Sequence, residues 1–376
     1  MSEHSGASPS STLRTPEALI KHGLAEPETL SGLQALAEQF SIAIPPAFAA
    51  LLKTRSPGNA NSDRNSDPIG LQVLPDAREL ATAPHERADP IGDDALSPVP
   101  GVVHRYEDRA LLKPLLVCPL YCRFCFRREH VGPDGGLLDE AALERAFTWF
   151  ETHSKVTEVI LTGGDPLMLS PRRLKRIIRR LSGIPHIQTL RLHSRVPLAM
   201  PERLTEELLD ALETEKAFWL VIHANHASEL TPEVRQALRR VQARAIPVLS
   251  QSVLLKGVND TVESLESLLR ALVQARVKPY YLHHLDAAPG TAHFHVPVEQ
   301  GRSLLRQLRG RVTGLAWPTY VLDIPGGAGK VPIGPDYLLA EEQSLQPPSG
   351  TCKATDGEPF RKRRVQAADG QEHPFT

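Results

Sequence analysis

From about residue 106 onward the apolar positions alternate between two rhythms. Short apolar runs occur at 110–117 (ALLKPLLV), 156–161 (VTEVIL), 187–193 (IQTLRLH), 217–223 (AFWLVIH), 246–253 (IPVLSQSV) and 277–282 (VKPYYL). Each has the length and the β-branched or aromatic content of a strand. Between and after them lie stretches with helical spacing, at 139–152, 170–181, 203–213, 231–244, 262–275 and 297–309. Two helix starts are well marked. Ser170-Pro171 and Thr231-Pro232 set a capping hydroxyl before a proline whose missing N–H costs nothing in the first turn. Strand and helix alternate six times without a sequence repeat. The fold class this predicts is α/β, a partial (β/α)6 TIM-like barrel built on a parallel sheet.

The flanks read differently. Residues 1–15 are polar and predicted disordered, and 16–100 carry helical patterns followed by an extended approach segment at 85–105. A loop-like stretch (TRSPGNANSDRNSDPIG) occupies 54–70. The barrel is assigned to 101–312, a Gly-rich lysine segment to 313–340, and a polar tail to 341–376.

In such barrels chemistry gathers at the C-terminal ends of the strands. The unusual residues fall there. Three cysteines follow the first strand, Gly163-Gly164-Asp165-Pro166 the second, and His193-Ser194-Arg195 the third. His223 and Asn225 follow the fourth, Gln251 the fifth and Asp286 the sixth.

Composition narrows the field only a little. The formal net charge of −1 gives no pull toward nucleic acid or a membrane surface. No 18-residue apolar window and no secretory-type N-terminus occur, so the expected compartment is the cytoplasm. Four cysteines in 376 residues do not make a disulfide framework. Three of them, however, are packed into Cys118-Pro-Leu-Tyr-Cys122-Arg-Phe-Cys125. A structural zinc wants a fourth ligand, for which His130 is the nearest candidate. Three inert thiols would suit a plain core, but the flanking Arg-Phe-Cys-Phe-Arg-Arg is highly charged. A [4Fe–4S] cube held by three thiolates leaves one iron open for another ligand, and this fits the spacing best.

Cys118-x3-Cys122-x2-Cys125, with an aromatic before the last cysteine, resembles the signature of radical S-adenosylmethionine enzymes. The resemblance implies that the open iron holds the amino and carboxylate groups of S-adenosylmethionine, whose cleavage yields a 5′-deoxyadenosyl radical. Gly163, Gly164 and Asp165 then match the motif that meets the methionyl amino group. On its own that run could equally be a strand-to-helix turn.

A second motif, 321–333 (VLDIPGGAGKVPI), fails the phosphate-loop pattern G-x-x-x-x-G-K-S/T at Ile324 and Val331. A lysine closing a Gly-rich turn could instead form a Schiff base while nearby N–H groups hold a phosphate, the needs of pyridoxal phosphate. Read alone it could also be a surface hairpin. Pro-Gly-Gly-x-Gly-Lys resembles the pyridoxal lysine of the lysine 2,3-aminomutase family, and the likeness spreads over roughly 88–338. It includes YCRFCFRR, LTGGDPL, HSRVPLAMPERLT, SQSVLLKGVND and PYYLHHLD.

The resemblance implies Lys330 as the pyridoxal-bearing lysine and Arg127 as the clamp on the substrate carboxylate, a task suited to a guanidinium fork. Asp286 and Asp323 match the positions that hold the ε-ammonium of lysine. A glutamate-acting relative should lack that pair, because two anions repel a side-chain carboxylate. His223, Asn225 and Gln251 could touch S-adenosylmethionine or the pyridine ring, or be satisfied structural groups. Arg128 could serve a phosphate or the folding of the cysteine loop, while Tyr280 and Tyr281 are expected to pack inside the barrel. Some family members carry a C-terminal cysteine set for zinc. Here only Cys352 lies in that region, as a free thiol. The expected activity is isomerisation of L-lysine to β-lysine. The alternatives are a related enzyme serving elongation factor P, another cationic amino acid, or a non-catalytic iron–sulfur or zinc protein. Expected partners are the amino acid and an electron donor such as flavodoxin or ferredoxin, with homo-oligomerisation left open.

Overall fold

The computed structural model describes residues 9–52, 67–338, 364–367 and 371–374. Cys352, most of the 54–70 loop, the first eight residues and most of the tail lie outside the described residues.

A nine-stranded sheet forms the body, with strands adjacent in chain order. These are β1 (Val102–Tyr106), β2 (Arg109–Leu115), β3 (Glu158–Gly163), β4 (Thr189–Ser194), β5 (Ala217–His223), β6 (Val248–Val253), β7 (Lys278–His283), β8 (Thr319–Ile324) and β9 (Gly329–Pro332). β2 through β8 pair in parallel, while β1 and β9 pair antiparallel at the two ends. The six predicted strand–helix units are all present, and three further strands extend them. β1 was read as an approach segment, and β8 and β9 were hidden inside the Gly-rich motif. Four- to six-residue strands next to a turn give too short an alternation to stand out.

The helices follow their apolar faces. Leu174, Ile177, Ile178 and Leu181 of Pro171–Ser182 are buried, and its arginines face outward to Glu140, Glu144 and Glu151. The predicted caps form: Ser170 Oγ accepts from Arg173 N at 3.3 Å, and Thr231 Oγ1 from Val234 N at 3.3 Å. The 203–213 stretch is less regular than predicted, with a single-turn helix at Glu206–Asp210 after a 3-10 turn.

The N-terminal helices Pro16–Lys21 and Leu30–Gln39 build their own apolar cluster, which reaches the barrel through Leu120 and Ala199. Leu13 is buried and pairs with Ile44. The sheet does not close by strand pairing between β1 and β9. A hydrogen bond spans the gap instead: Lys330 N donates to the Tyr106 hydroxyl at 2.7 Å. No described helix is long and apolar enough to cross a membrane.

Candidate active site

The barrel interior is a cavity of about 630 Å³, walled mainly by alternating residues of β1–β4 and β6–β9. Arg109 and Leu111 come from β2, Ile160 and Thr162 from β3, Arg191 and His193 from β4. Gln251, Tyr281, His283, Asp323 and Lys330 follow from β6 to β9. Phe126 and Arg127, directly after Cys125, line the same cavity. The two residues directly after the last cysteine therefore share a chamber with Lys330, while the three cysteines themselves line a separate small pocket of about 40 Å³ behind it.

The loop itself is held from behind. Arg123 N donates to Gln72 O at 2.8 Å, and Tyr121 N to Ala43 O at 3.3 Å. The Arg123 guanidinium is almost fully buried and places Nε 2.9 Å from both Glu79 oxygens. Arg128 reaches the same carboxylate, donates to Arg123 O at 2.9 Å and lies 3.5 Å above the Phe40 ring. Of the three arginines in the motif, then, Arg123 and Arg128 fold the loop and Arg127 faces the chamber. Sequence reasoning left Arg128 open and missed Glu79, which lies 44 residues before Arg123 in the chain.

A second anchor comes from β4. Arg195 donates to Cys122 Sγ at 2.7 Å, to Gln72 Oε1 at 2.6 Å and to Glu229 Oε2 at 3.0 Å. All three thiols are free and half-buried. Desolvation, reinforced by neighbouring Asp165 and the other thiols, holds Cys118 well above the usual thiol range, and desolvation raises Cys125 to about 11. Without a metal Cys118 and Cys125 keep their protons, so a cluster must displace them. No three His, Cys, Asp or Glu side chains among the described residues converge on a single ion. A cube takes each thiolate on a different iron, so three soft donors on one short loop fit it where a tetrahedral zinc would lack its fourth ligand.

Asp165 is buried and fully engaged. It accepts from Ser194 Oγ at 2.8 Å, Arg195 N at 2.7 Å, Val196 N at 3.0 Å and Leu167 N at 3.1 Å, clasping the ends of β3 and β4. Gly163 has φ +106, and a Cβ on Gly164 would sit 2.5 Å from Val117 O. Both glycines let β3 approach the strand that feeds the cysteine loop, a packing reason for the motif. His223 stacks on Phe124 at 5.6 Å and is in register with Gln251. Burial and the Arg195 charge push His223 well below the usual histidine range. Asn225 is fully buried between Gln72 and Val253 N, a structural placement.

At the other wall, Asp323 and Lys330 are directly opposed partners of the β8–β9 pair, and their side chains form an ion pair. His283 Nδ1 lies 3.3 Å from Lys330 Nζ and 3.4 Å from Asp323 Oδ2. Burial would raise Asp323, but His283 and Lys330 outweigh it and hold the carboxyl at about 2. Asp286 lines the same wall; its carboxyl makes no hydrogen bond or ion pair among the described residues, although the Lys330, Arg127 and Arg105 charges act on it from a distance. Burial and the Asp323 charge push it up to about 7.

Arg127 is not idle either. Its Nε and Nη2 donate to Asp93 Oδ2 at 2.9 and 2.7 Å, and Arg105 Nη2 lies 3.2 Å from Asp93 Oδ1. Burial works against the Asp93 anion, yet Arg127, Lys113 and Arg105 together keep it low. Asp93 and the inward-facing Arg105, Arg109 and Arg191 escaped sequence reasoning. An arginine amid apolar neighbours in TLRLHS was the available signal. These cations suit a phosphate, and with Lys330 beside them the chamber fits pyridoxal phosphate. The glycine turn, in contrast, packs inward: Gly326 N donates to Pro90 O at 3.1 Å, and a Cβ on Gly327 would meet Leu96 at 2.7 Å.

Comparison with known proteins agrees. Residues 112–272 match the radical SAM superfamily and residues 305–346 the family described as lysine-2,3-aminomutase. An L-lysine 2,3-aminomutase from Acetoanaerobium sticklandii is 37% identical over 332 residues, 88% of this chain and 78% of that one. One from Fusobacterium nucleatum is 37% identical over 330 residues, 88% of this chain and 76% of that one. A glutamate 2,3-aminomutase from Clostridioides difficile is 32% identical over 303 residues, 81% and 70% of the two chains. The chain thus belongs to the lysine 2,3-aminomutase family of radical S-adenosylmethionine enzymes, isomerases that work with a [4Fe–4S] cluster, S-adenosylmethionine and pyridoxal phosphate.

Proposed function

We propose that this enzyme moves the α-amino group of L-lysine to the neighbouring carbon, giving β-lysine. The observation that carries the substrate choice is Asp286. Its carboxyl makes no ion pair, feels the charge of a second carboxylate, and lines the barrel cavity. A cation arriving there would meet two acceptors and draw the Asp286 proton off. A side-chain carboxylate would meet repulsion from Asp323 and a protonated or repelling Asp286.

The bound cofactors supply hydrogen abstraction and delocalisation of an unpaired spin; the protein supplies the rest. Cys118, Cys122 and Cys125 hold the cluster. Gly163, Gly164, His223 and Gln251 are the residues proposed to meet S-adenosylmethionine, and Asp165 acts on them by fixing the ends of β3 and β4. Lys330 carries the pyridoxal group. Arg127 turns part of its fork from Asp93 to the substrate carboxylate, with Asp93 keeping its orientation. Asp323, paired with Lys330 in the free protein, becomes available to the substrate ammonium once the Lys330 nitrogen gives up its charge. Leu111, Ile160, Val321 and Phe126 supply apolar walls that keep water from the reacting carbon.

The test is an anaerobic incubation of the reconstituted protein with L-lysine, L-arginine and L-glutamate separately, followed by separation of the β-isomers. β-Lysine as the dominant product is expected. β-Glutamate in its place would remove the role given to Asp286 and Asp323, and β-arginine would transfer it to a guanidinium.

A further inference from the structure

We propose that His283 is the base that takes the proton from the Lys330 ammonium before that amine bonds to the aldehyde carbon of pyridoxal phosphate, and that it returns the proton when the amine is displaced. The proposal rests on Lys330 being the pyridoxal-bearing lysine, and it is independent of which amino acid is the substrate.

Geometry gives the starting point. Lys330 Nζ, Asp323 Oδ2 and His283 Nδ1 form a triangle in which Lys330 and Asp323 are ion-paired. His283 Nδ1 is 3.3 Å from the first and 3.4 Å from the second. An ammonium cannot attack a carbonyl, because its lone pair is used in an N–H bond. One N–H bond must break, the proton must go to a neighbour, and the freed pair then forms the C–N bond while the aldehyde oxygen leaves as water.

Two groups touch Nζ closely enough to take the proton. Asp323 is the nearer, but the same contacts that bind it to Lys330 hold its carboxyl at about 2, so it stabilises the ammonium rather than deprotonating it. His283 is the other. Burial and the Lys330 charge keep its imidazole neutral against the pull of Asp323, and in the tautomer protonated at Nε2 its Nδ1 offers a lone pair at neutral pH. The transfer leaves the net charge of the triangle unchanged. A Lys330 cation beside the Asp323 anion becomes a His283 cation beside the same anion.

The remaining groups around His283 do not compete. Tyr281 presents its ring edge at 5.6 Å, and burial and Tyr280 keep its phenol protonated. His193 and His223 also face it, each held neutral by burial, and so does the Lys330 charge itself. His283 Nε2 has no hydrogen-bond partner, so the ring can carry its one proton there and leave Nδ1 as the acceptor toward Lys330.

The experiment follows pyridoxal phosphate loading by stopped-flow absorbance, with neither S-adenosylmethionine nor reductant present, so that no turnover occurs. Borohydride trapping and peptide mass then locate the modified lysine. For His283→Gln, loading is expected to slow about 100-fold, the usual scale of one general base. Added imidazole should restore part of the rate, and the trapped group should stay on Lys330. In the native protein the loading rate should be level near neutral pH and fall only at a pH below the ordinary imidazole value of about 6.5, because burial lowers His283. A His283→Gln protein that loads within threefold of the native rate, or a native rate that climbs tenfold per pH unit up to pH 10, overturns the assignment. A trapped group on another lysine would instead remove the reading of Lys330. The native pH profile decides the matter even if the variant fails to fold.

Discussion

Replacing Asp286 by Asn should make the ligand-free protein more stable while taking away its grip on a cationic substrate. The carboxyl has an ordinary value of 3.8 and is raised to about 7 by burial and by Asp323. Folded protein therefore keeps a proton that the unfolded chain releases across that window, so stability falls as pH rises from about 4 to about 7 and then levels off. The ceiling on the penalty at pH 8 is on the order of 4 kcal/mol. Asp286 lines a cavity that water can enter, which brings the real figure below that ceiling. Asparagine is nearly the same shape and carries no charge to desolvate. Thermal unfolding of native and Asp286→Asn protein should coincide near pH 4 and separate by several degrees at pH 8, with the variant higher, at roughly 2 °C per kcal/mol for a chain of this size. In the same samples the lysine-induced change in the pyridoxal band should be lost. A variant no more stable at pH 8 than at pH 4, relative to native protein, would refute the claim that an unpaired carboxylate waits in the chamber.

Other consequences follow from contacts already described. Arg127→Lys keeps a charge beside Asp93 but loses the fork, so the KM for lysine should rise by about tenfold or more with pyridoxal content unchanged. An unaltered KM would separate Arg127 from the substrate carboxylate. Glu79→Gln leaves Arg123 and Arg128 buried without their counter-charge, at a cost of about 3–5 kcal/mol. Iron content and melting temperature should drop together, and full iron retention would show that the loop does not depend on this pair. Gly290→Ala puts a Cβ 2.3 Å from Glu79 O at a φ of +72, so it should disturb the same region by a route that leaves every charge in place. Native-like melting there would contradict the packing described.

The barrel was legible because its strands and helices are each complete in local sequence. The caps at Ser170 and Thr231 and the apolar faces of the helices need no distant partner to be recognised. The candidate site was legible where its chemistry is concentrated in short motifs, as in Cys118–Cys125 and around Lys330. What escaped was pairing across long separations. Glu79 and Gln72 look like ordinary polar residues of an N-terminal helical stretch. Only folding brings Glu79 under Arg123 and Arg128, and Gln72 between Arg195 and Asn225. Asp93 is similar: nothing around IGDDALS indicates three cations nearby. Strand β8 was obscured for a different reason. Its last residues carry the conspicuous Asp323 and glycine turn, which drew attention from the alternation of TYVLDI. The glycines were legible as close-approach positions, yet the surface approached at Gly164 and Gly327 is the protein itself.

The central claim is that the thiol loop and Lys330 serve one chamber, so that a single bound lysine is within reach of chemistry from both. L-Lysine deuterated at carbon 3 tests it, given to anaerobic, fully reconstituted protein with unlabelled S-adenosylmethionine and analysed by mass spectrometry of the 5′-deoxyadenosine formed. Deuterium in the 5′-deoxyadenosine is the predicted result. Unlabelled 5′-deoxyadenosine, formed while pyridoxal phosphate is bound at Lys330 and lysine is present, would place the two centres out of each other's reach and contradict it.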